Sequence, residues 1–399
     1  MRILQDYRKF NTIKIISLIL ALMISMSGCW DRNELNALAI TTGAAFDKSE
    51  SPDSVAMTAQ VINLDTLAPA AVQSAISKPP YWNIKTTGKT VFDCIRNASQ
   101  QSPHKLYWAH NQIIVFSEDL ARDNGVQEYF DFFLRDAEPR ISIWVLVSKG
   151  QASEILEMDS KLEPIPSINI TSLIENRRFT GKAAAVDMYE FSNRVLSEAT
   201  APVMSIIELI GENDEKIPLL SGTAVFNQDM KMIGTLDEQE TRGMLWVIDQ
   251  FESGVLIVEA PGGQGQLGLE ILNSSGQIKP EISDGQLKIK IKIRASASLG
   301  DAECFVDVLD ENTWASINKR QAEAIRQDIL LSLEQARKLK ADIFGFGDAV
   351  YKKYPREWKD IKPNWEEIFP ALEVEIEVQT TLLRPNMILQ SVNKRSKEG

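Results

Sequence analysis

The sequence predicts an α+β protein of more than one domain, with mixed sheets flanked by helices and a long helix in the C-terminal domain. Three observations carry that expectation. In the first half, short β-like runs alternate closely with helical spacings, a pattern that lays helices on a sheet. Along Leu287–Ser298, Leu287, Ile289, Ile291 and Ile293 alternate with Lys288, Lys290, Lys292 and Arg294, the period-2 mark of a half-buried strand. Over Trp314–Leu339, an apolar stripe of Ile317, Ile325, Ile329, Leu333 and Ala336 opposes a charged side of Arg320, Glu323, Asp328, Glu334, Arg337 and Lys338. A chain of 399 residues exceeds one small core and implies two or three domains.

The chain opens on a basic stretch (Arg2, Arg8, Lys9, Lys14), an uncharged run from Ile15 to Met26, and small residues directly before Cys29. That is the layout of an export signal ending on cysteine, a lipobox. Its chemistry requires a thiolate, which is alkylated by a diacylglycerol before the preceding bond is cut. The apolar run falls short of the ~20 residues a spanning helix needs. Residues 1–28 therefore read as a lipoprotein signal peptide and Cys29 as the lipidated residue, and two acyl chains anchor a protein stably where one is marginal.

Residues 1–28 hold four basic and one acidic side chain of the 43 and 55 in the chain. The remaining 39 basic and 54 acidic groups leave a formal charge of −15, which argues against nucleic acid and against broad docking on anionic lipid. Beyond Cys29 only Cys94 and Cys304 remain. A bridge between them is open to an exported protein, but no feature places them side by side, and two buried free thiols is the reading taken.

In order, strands are expected over Ala37–Asp47, Ser54–Leu64 and Tyr81–Thr87, with a loose Ala- and Pro-rich connection over Thr66–Pro80. A helix carrying Val91, Cys94, Ile95 and Ala98 follows and stops by Pro103. Asn111–Phe116 and Ile141–Val147 read as buried strands. Glu118–Arg122, Val126–Leu134, Ala152–Met158, Ile168–Ile174 and Ala183–Leu196 read as helices, the last with Asp187, Glu190 and Arg194 outward. The polar turn Gly211–Lys216 marks a boundary. The organisation is thus an N-terminal α+β region over 29–205, open to two subdomains, a linker over 206–220, a C-terminal α+β domain over 221–390 and a basic tail over 391–399. The C-terminal region opens with a hairpin of Ser221–Phe226 and Met230–Leu236. A helix capped by Asp237 follows. Strands Val255–Glu259 and Leu267–Asn273 come next, and Ala341–Val350 continues the long helix. Glu373–Leu382 supplies a last alternating strand.

No catalytic constellation stands out. Gly263, Gly265 and Gly268 have dinucleotide-loop spacing, but strand-like residues follow where a helix must open. Gly88-Lys89-Thr90 lacks the first glycine of a phosphate loop, since position 83 is Asn83. His104 and His110, the only histidines, have no metal-ligand spacing and no nearby nucleophile. No catalytic residue, metal or cofactor is therefore expected, and the chain reads as non-enzymatic. The charges of Arg135–Arg140 read as a solvated corner, with a structural ion-pair cluster or a contact surface as the alternatives. Tyr354, Trp358 and Trp365 read as aromatics that pin a Pro-bounded loop to its domain.

Several stretches together resemble one family. These are Gly28-Cys29-Trp30-Asp31-Arg32 with Glu34-Leu35; Leu134-Arg135-Asp136; Gly222 with Ala224-Val225-Phe226; Glu240-Thr241-Arg242-Gly243; Asp342 through Gly347; and Tyr354-Pro355 with Trp358 and Trp365. Their order and spacing resemble the Ger(x)C lipoproteins, C subunits of nutrient germinant receptors in spore-forming bacteria. The resemblance implies an α+β ectodomain of about three subdomains, lipid-anchored at Cys29 on the outer face of the spore inner membrane. It also implies assembly with integral-membrane A and B subunits into a receptor for small nutrients, without catalytic residues. A solute-binding lipoprotein of an importer shares the lipobox and is the first rival; a surface hydrolase is the second.

Overall fold

A computed structural model describes residues 14–18, 38–51, 54–63, 79–136, 138–211, 216–263, 265–304, 306 and 310–383. Cys29, the Trp30–Leu35 stretch, most of the Thr66–Pro80 connection, the middle of the Gly211–Lys216 turn and the basic tail lie outside the described residues.

The first half builds strands β1 (Leu38–Asp47), β2 (Val55–Ile62) and β3 (Tyr81–Gly88), then helix α1 (Val91–Ala98) and the short β4 (Lys105–Tyr107). Next come β5 (Ile113–Ser117), α2 (Glu118–Asp123), α3 (Gln127–Arg135) and β6 (Trp144–Ser148). They are followed by α4 (Ala152–Glu157), α5 (Pro166–Asn176), α6 (Met188–Leu196), β7 (Val203–Ile210), β8 (Ile217–Phe226) and β9 (Met232–Leu236). All nine strands form one mixed sheet ordered β3-β2-β1-β5-β6-β7-β8-β9, with β4 also pairing β1. The β1–β5, β5–β6 and β6–β7 pairs are parallel and the outer pairs antiparallel.

Helices cover both faces, which is why β5 is apolar from Ile113 to Phe116 and buried throughout. Its alternate residues Ile114 and Phe116 join the larger core, where Phe46, Tyr129, Phe130, Phe133, Phe191 and Phe226 interlock. Ile113 and Val115 join a second core under α4 and α5 with Leu146, Ile155, Ile170 and Ile174.

The second half adds α7 (Glu238–Val247), β10 (Gly254–Glu259), β11 (Gln266–Ser283), β12 (Gln286–Ala302) and the long α8 (Glu311–Leu339). The remaining elements are α9 (Phe346–Lys353), α10 (Trp358–Ile361), α11 (Trp365–Ala371) and β13 (Glu373–Leu383). β10 to β13 form a four-stranded sheet in sequence order. Antiparallel β11–β12 is a long ribbon, and β13 returns parallel to β12 after the helical crossover. Ile289, Ile291 and Ile293 point into the core, while Lys288, Lys290 and Lys292 face outward beside Glu373, Glu375 and Glu377 at 2.7–3.8 Å. Exposed pairs of this kind add little stability. A one-residue slip would bury the lysines, so their contribution is to register.

Local expectations meet several corrections. The helix expected over Ala183–Leu196 begins only at Met188, because Val145 N–H donates to Val186 O and the Asp187 carboxylate caps the helix by accepting from Glu190 N–H. Arg194 and Asp328, both placed on charged outer faces by the sequence, are buried at 9% and 1% exposure. The first helix ends at Ala98, before Pro103 acts. Pro166 opens α5 at its first turn, where proline suits a helix. Lys340 adopts a left-handed conformation (φ 53°) and stops α8, so Ala341–Val350 does not continue it. The last residues of β7 and the first residues of β8 fall in the expected linker, and they pair with each other in the large sheet. Cys94 is buried and Cys304 half-buried, both as free thiols; burial pushes the Cys94 thiol up to about 11.

Helices α7 and α8 touch backbone to backbone at Gly243. A Cβ there would lie 2.1 Å from the Asp328 carbonyl oxygen and 2.7 Å from Ser332 Cβ. Alanine favours a helix over glycine by about 1 kcal/mol, but a carbonyl in a packed helix cannot swing away. Gly243→Ala is therefore expected to part the helices and destabilise by about 1–3 kcal/mol, read as a lower urea midpoint. An unchanged midpoint would mean that the helices slide apart without cost.

Candidate functional site

Four of the stretches singled out in the sequence, Gly222–Phe226, Glu240–Gly243, Asp342–Gly347 and Tyr354–Trp365, converge on a buried joint between the large sheet and α8. Its first clamp is the loop Ala341–Gly345 with the start of α9. Asp342 is 2% exposed, and its Oδ1 accepts from the N–H groups of Phe344, Gly345 and Phe346 at 3.2, 2.9 and 3.1 Å. Oδ2 accepts from Gly347 N–H at 2.8 Å. Burial pushes this carboxyl up to about 6, against the four amide donors that favour its charged form.

The Asp342 carbonyl accepts from Ala201 N–H at 2.8 Å, which ties the loop to the lead-in of β7. Arg194 reaches across the same seam from α6. It donates to Ile343 O at 3.0 Å and Ala201 O at 3.3 Å, with the Glu190 carboxylate 3.6 Å from its Nε. Burial holds the Arg194 guanidinium below its ordinary range, opposed by the neighbouring carboxylates. Ser197 and Thr200 donate their hydroxyls to the two oxygens of Asp348 at 2.8 and 2.7 Å. Over this seam Trp358 and Trp365 stack edge-on at 5.2 Å, both buried, so the aromatics do pin their loop. Gly347 lies beneath them. A Cβ there would stand 2.3 Å from Ala199 Cβ and 2.8 Å from the Trp358 ring, so the motif glycine is a close-approach residue.

The second clamp joins α7 to α8. Arg242 Nε and Nη2 donate to Asp328 Oδ2 and Oδ1 at 2.6 and 2.9 Å, and Gln239 adds a third donor at 3.0 Å. The neighbouring Thr241 and Thr223 hydroxyls meet at 3.0 Å, which fastens α7 to β8. Asp237 and Glu240 close a reciprocal capping box at the start of α7. These contacts need no cofactor. What the arrangement does is hold two sheets and a long helix in one orientation.

The other candidates take structural places. Gly263 and Gly265 lie in the β10–β11 turn, and Gly268 within β11, with no helix opening behind them. Thr90 caps α1 by accepting from Asp93 N–H, and Lys89 is exposed. His104 and His110 are both exposed. Among the described residues, no group of three or more His, Cys, Asp or Glu side chains could hold a metal. In the Arg135–Arg140 corner, Glu138 accepts from Trp108 N–H at 3.0 Å and pairs with Lys105 at 3.5 Å, so part of this corner ties β4 down. Cys29 lies outside the described residues. Sequence reasoning missed Asp342 as the centre of a clamp, as well as Arg194 and Asp328. A signal existed for Arg194: it falls three residues after Phe191 and six after Met188, on the buried face of α6.

Comparison with known proteins gives a spore germination description over most of the chain. Residues 31–209 match the family described as spore germination protein N-terminal domain, and residues 221–386 match spore germination B3/GerAC like, C-terminal. The gap between the two matches falls at the β7–β8 turn, although those strands share one sheet. Spore germination protein KC of Bacillus subtilis (strain 168) is 24% identical over 391 residues, covering 93% of this chain and 95% of that protein. The putative spore germination protein YfkR of the same organism is 26% identical, covering 94% and 97%. Spore germination protein B3, also from that organism, is 22% identical, covering 92% and 96%. The crystal structure of the GerBC protein matches with a TM-score of 0.54 at 18% identity, covering 88% of this chain and 100% of that one, a likeness of fold.

Proposed function

The chain belongs to the GerAC-like family of spore germination proteins, and from that premise we propose that it is the lipid-anchored, non-enzymatic C subunit of a nutrient germinant receptor. Cys29 carries the diacylglycerol anchor on the outer face of the spore inner membrane. The folded ectodomain contacts two integral-membrane subunits, A and B, and supports receptor assembly or signalling when a nutrient binds. The observation that carries this reading is the lipobox ending two residues before a family match that continues, with one gap, to residue 386.

The joint agrees with such a role, since its polar side chains are spent on holding elements together and its carboxylates are occupied by amides and guanidinium groups. Among the described residues no helix is long and apolar enough to cross a membrane. The importer rival calls for two similar lobes around a cleft, whereas the sheets here have nine and four strands.

Cys29→Ala is expected to release the protein from the membrane fraction of spores and to blunt nutrient-triggered germination. Fractionation and a germination assay on the same spores read both. Full membrane retention with normal germination would sink the anchoring claim.

A further inference from the structure

The place where the tether enters the fold limits which end of the large sheet can meet lipid. Strand β1 is the first described strand, and its first residue, Leu38, follows Cys29 by nine Cα–Cα steps, which reach at most roughly 30 Å. The ten residues of β1 themselves extend about 30 Å from Leu38 to Asp47. With the Leu38 end down, that reach is more than the anchor requires. With the Asp47 end down, the whole of it is needed to pass back along the strand.

The Leu38 end is also the one with suitable surface chemistry. Leu38 pairs in register with Lys105 of β4, and Glu138 binds both the Lys105 ammonium and Trp108 N–H. The loop that carries Glu138 also carries Arg140, exposed, and Ile141, 52% exposed in front of β6. His104 and His110, the only histidines of the chain, are exposed on the segments flanking β4. Lys105 and Arg140 offset two of the three acidic groups at this end, Asp136, Glu138 and Glu175. The exposed isoleucine is free to enter the headgroup region.

We infer that the β1–β4 end of the large sheet, with Ile141 and His104 foremost, rests on the lipid surface that holds the anchor, and that the β1–β2 turn points away from it. This rests on the anchoring proposed for Cys29.

The test uses the full lipidated chain in vesicles of phosphatidylethanolamine and phosphatidylglycerol. A photoreactive benzophenone amino acid replaces Ile141, His104 or, as the control on the β1–β2 turn, Glu50. Flotation of each variant is read first, then lipid adducts by mass spectrometry. Floating protein with adducts at Ile141 and His104 and none at Glu50 is the expected result. Floating protein with adducts at Glu50, or with none at Ile141 and His104, overturns the orientation while leaving the anchor intact. Protein that does not float overturns both.

Discussion

Asp342→Ala is expected to destabilise the protein by about 3 kcal/mol, the largest effect of any single change in the 341–348 loop. Four backbone N–H groups, at Phe344, Gly345, Phe346 and Gly347, lose their acceptor together, and each buried donor left unpaired costs about 1–3 kcal/mol. Relief of the buried charge offsets part of that sum. Asp342→Asn separates the two effects. Oδ1 serves three of the donors and Oδ2 one, so an amide oriented with its oxygen at Oδ1 keeps three bonds and opposes only Gly347 N–H. The loss expected for the asparagine is about 1 kcal/mol.

The pH dependence carries a definite sign. The native carboxyl titrates near 6, above its ordinary 3.8, so the folded state binds this proton more tightly than the unfolded chain. The stability gained from protonation is complete below 3.8 and is lost as pH rises through 6. Wild type should therefore gain on Asp342→Asn by up to about 3 kcal/mol between pH 7 and pH 4. Paired urea titrations at the two pH values measure the difference. A gap that stays constant, or narrows toward acid, would show that the four amides hold the carboxylate ionised throughout.

Much of the architecture is legible in the sequence because periodicity reports which faces are buried. The alternation over Leu287–Ser298 marks a strand with one wet face, and that is what β12 has. The unbroken apolar run Ile113–Phe116 within the expected strand Asn111–Phe116 marks a strand covered on both sides, and β5 lies between two cores. Asp237 ahead of two glutamates marks the start of α7.

The failures share a cause. A charged residue near the edge of an amphipathic stripe looks solvated unless its partner is known, and the partners here are far away in the chain. Asp328 meets Arg242, and Arg194 meets the carbonyl of Ile343. The polar residues of Gly211–Lys216 mark a reversal of the chain, and the two family matches break there as well, at 209 and 221. Pairing of Ile207 with Leu220 and of Ile210 with Ile217 cannot be read from the turn itself. The joint is thus the least legible part of the molecule, since it is built from long-range pairs.

Arg242→Ala is the second large change expected, with a loss of about 3–5 kcal/mol. Asp328 is 1% exposed, and the guanidinium supplies two of its three side-chain donors. Without Arg242 a carboxylate stays buried with Gln239 alone. Arg242→Lys should rescue little, because an ammonium cannot present two parallel N–H groups to both oxygens. The double change Arg242→Ala with Asp328→Ala should be less damaging than Arg242→Ala alone, since it removes the orphaned charge together with its partner. Urea titration of the four proteins completes the cycle, and additive losses would mean the pair is not coupled. Because α7 follows directly from β9 of the large sheet while α8 backs the small one, this pair lies on the mechanical path between them. If the ectodomain works as one rigid element of a receptor, Arg242→Ala spores should lose nutrient response out of proportion to the protein still retained at the membrane. A response that falls only in step with protein level would reduce the pair to a folding role.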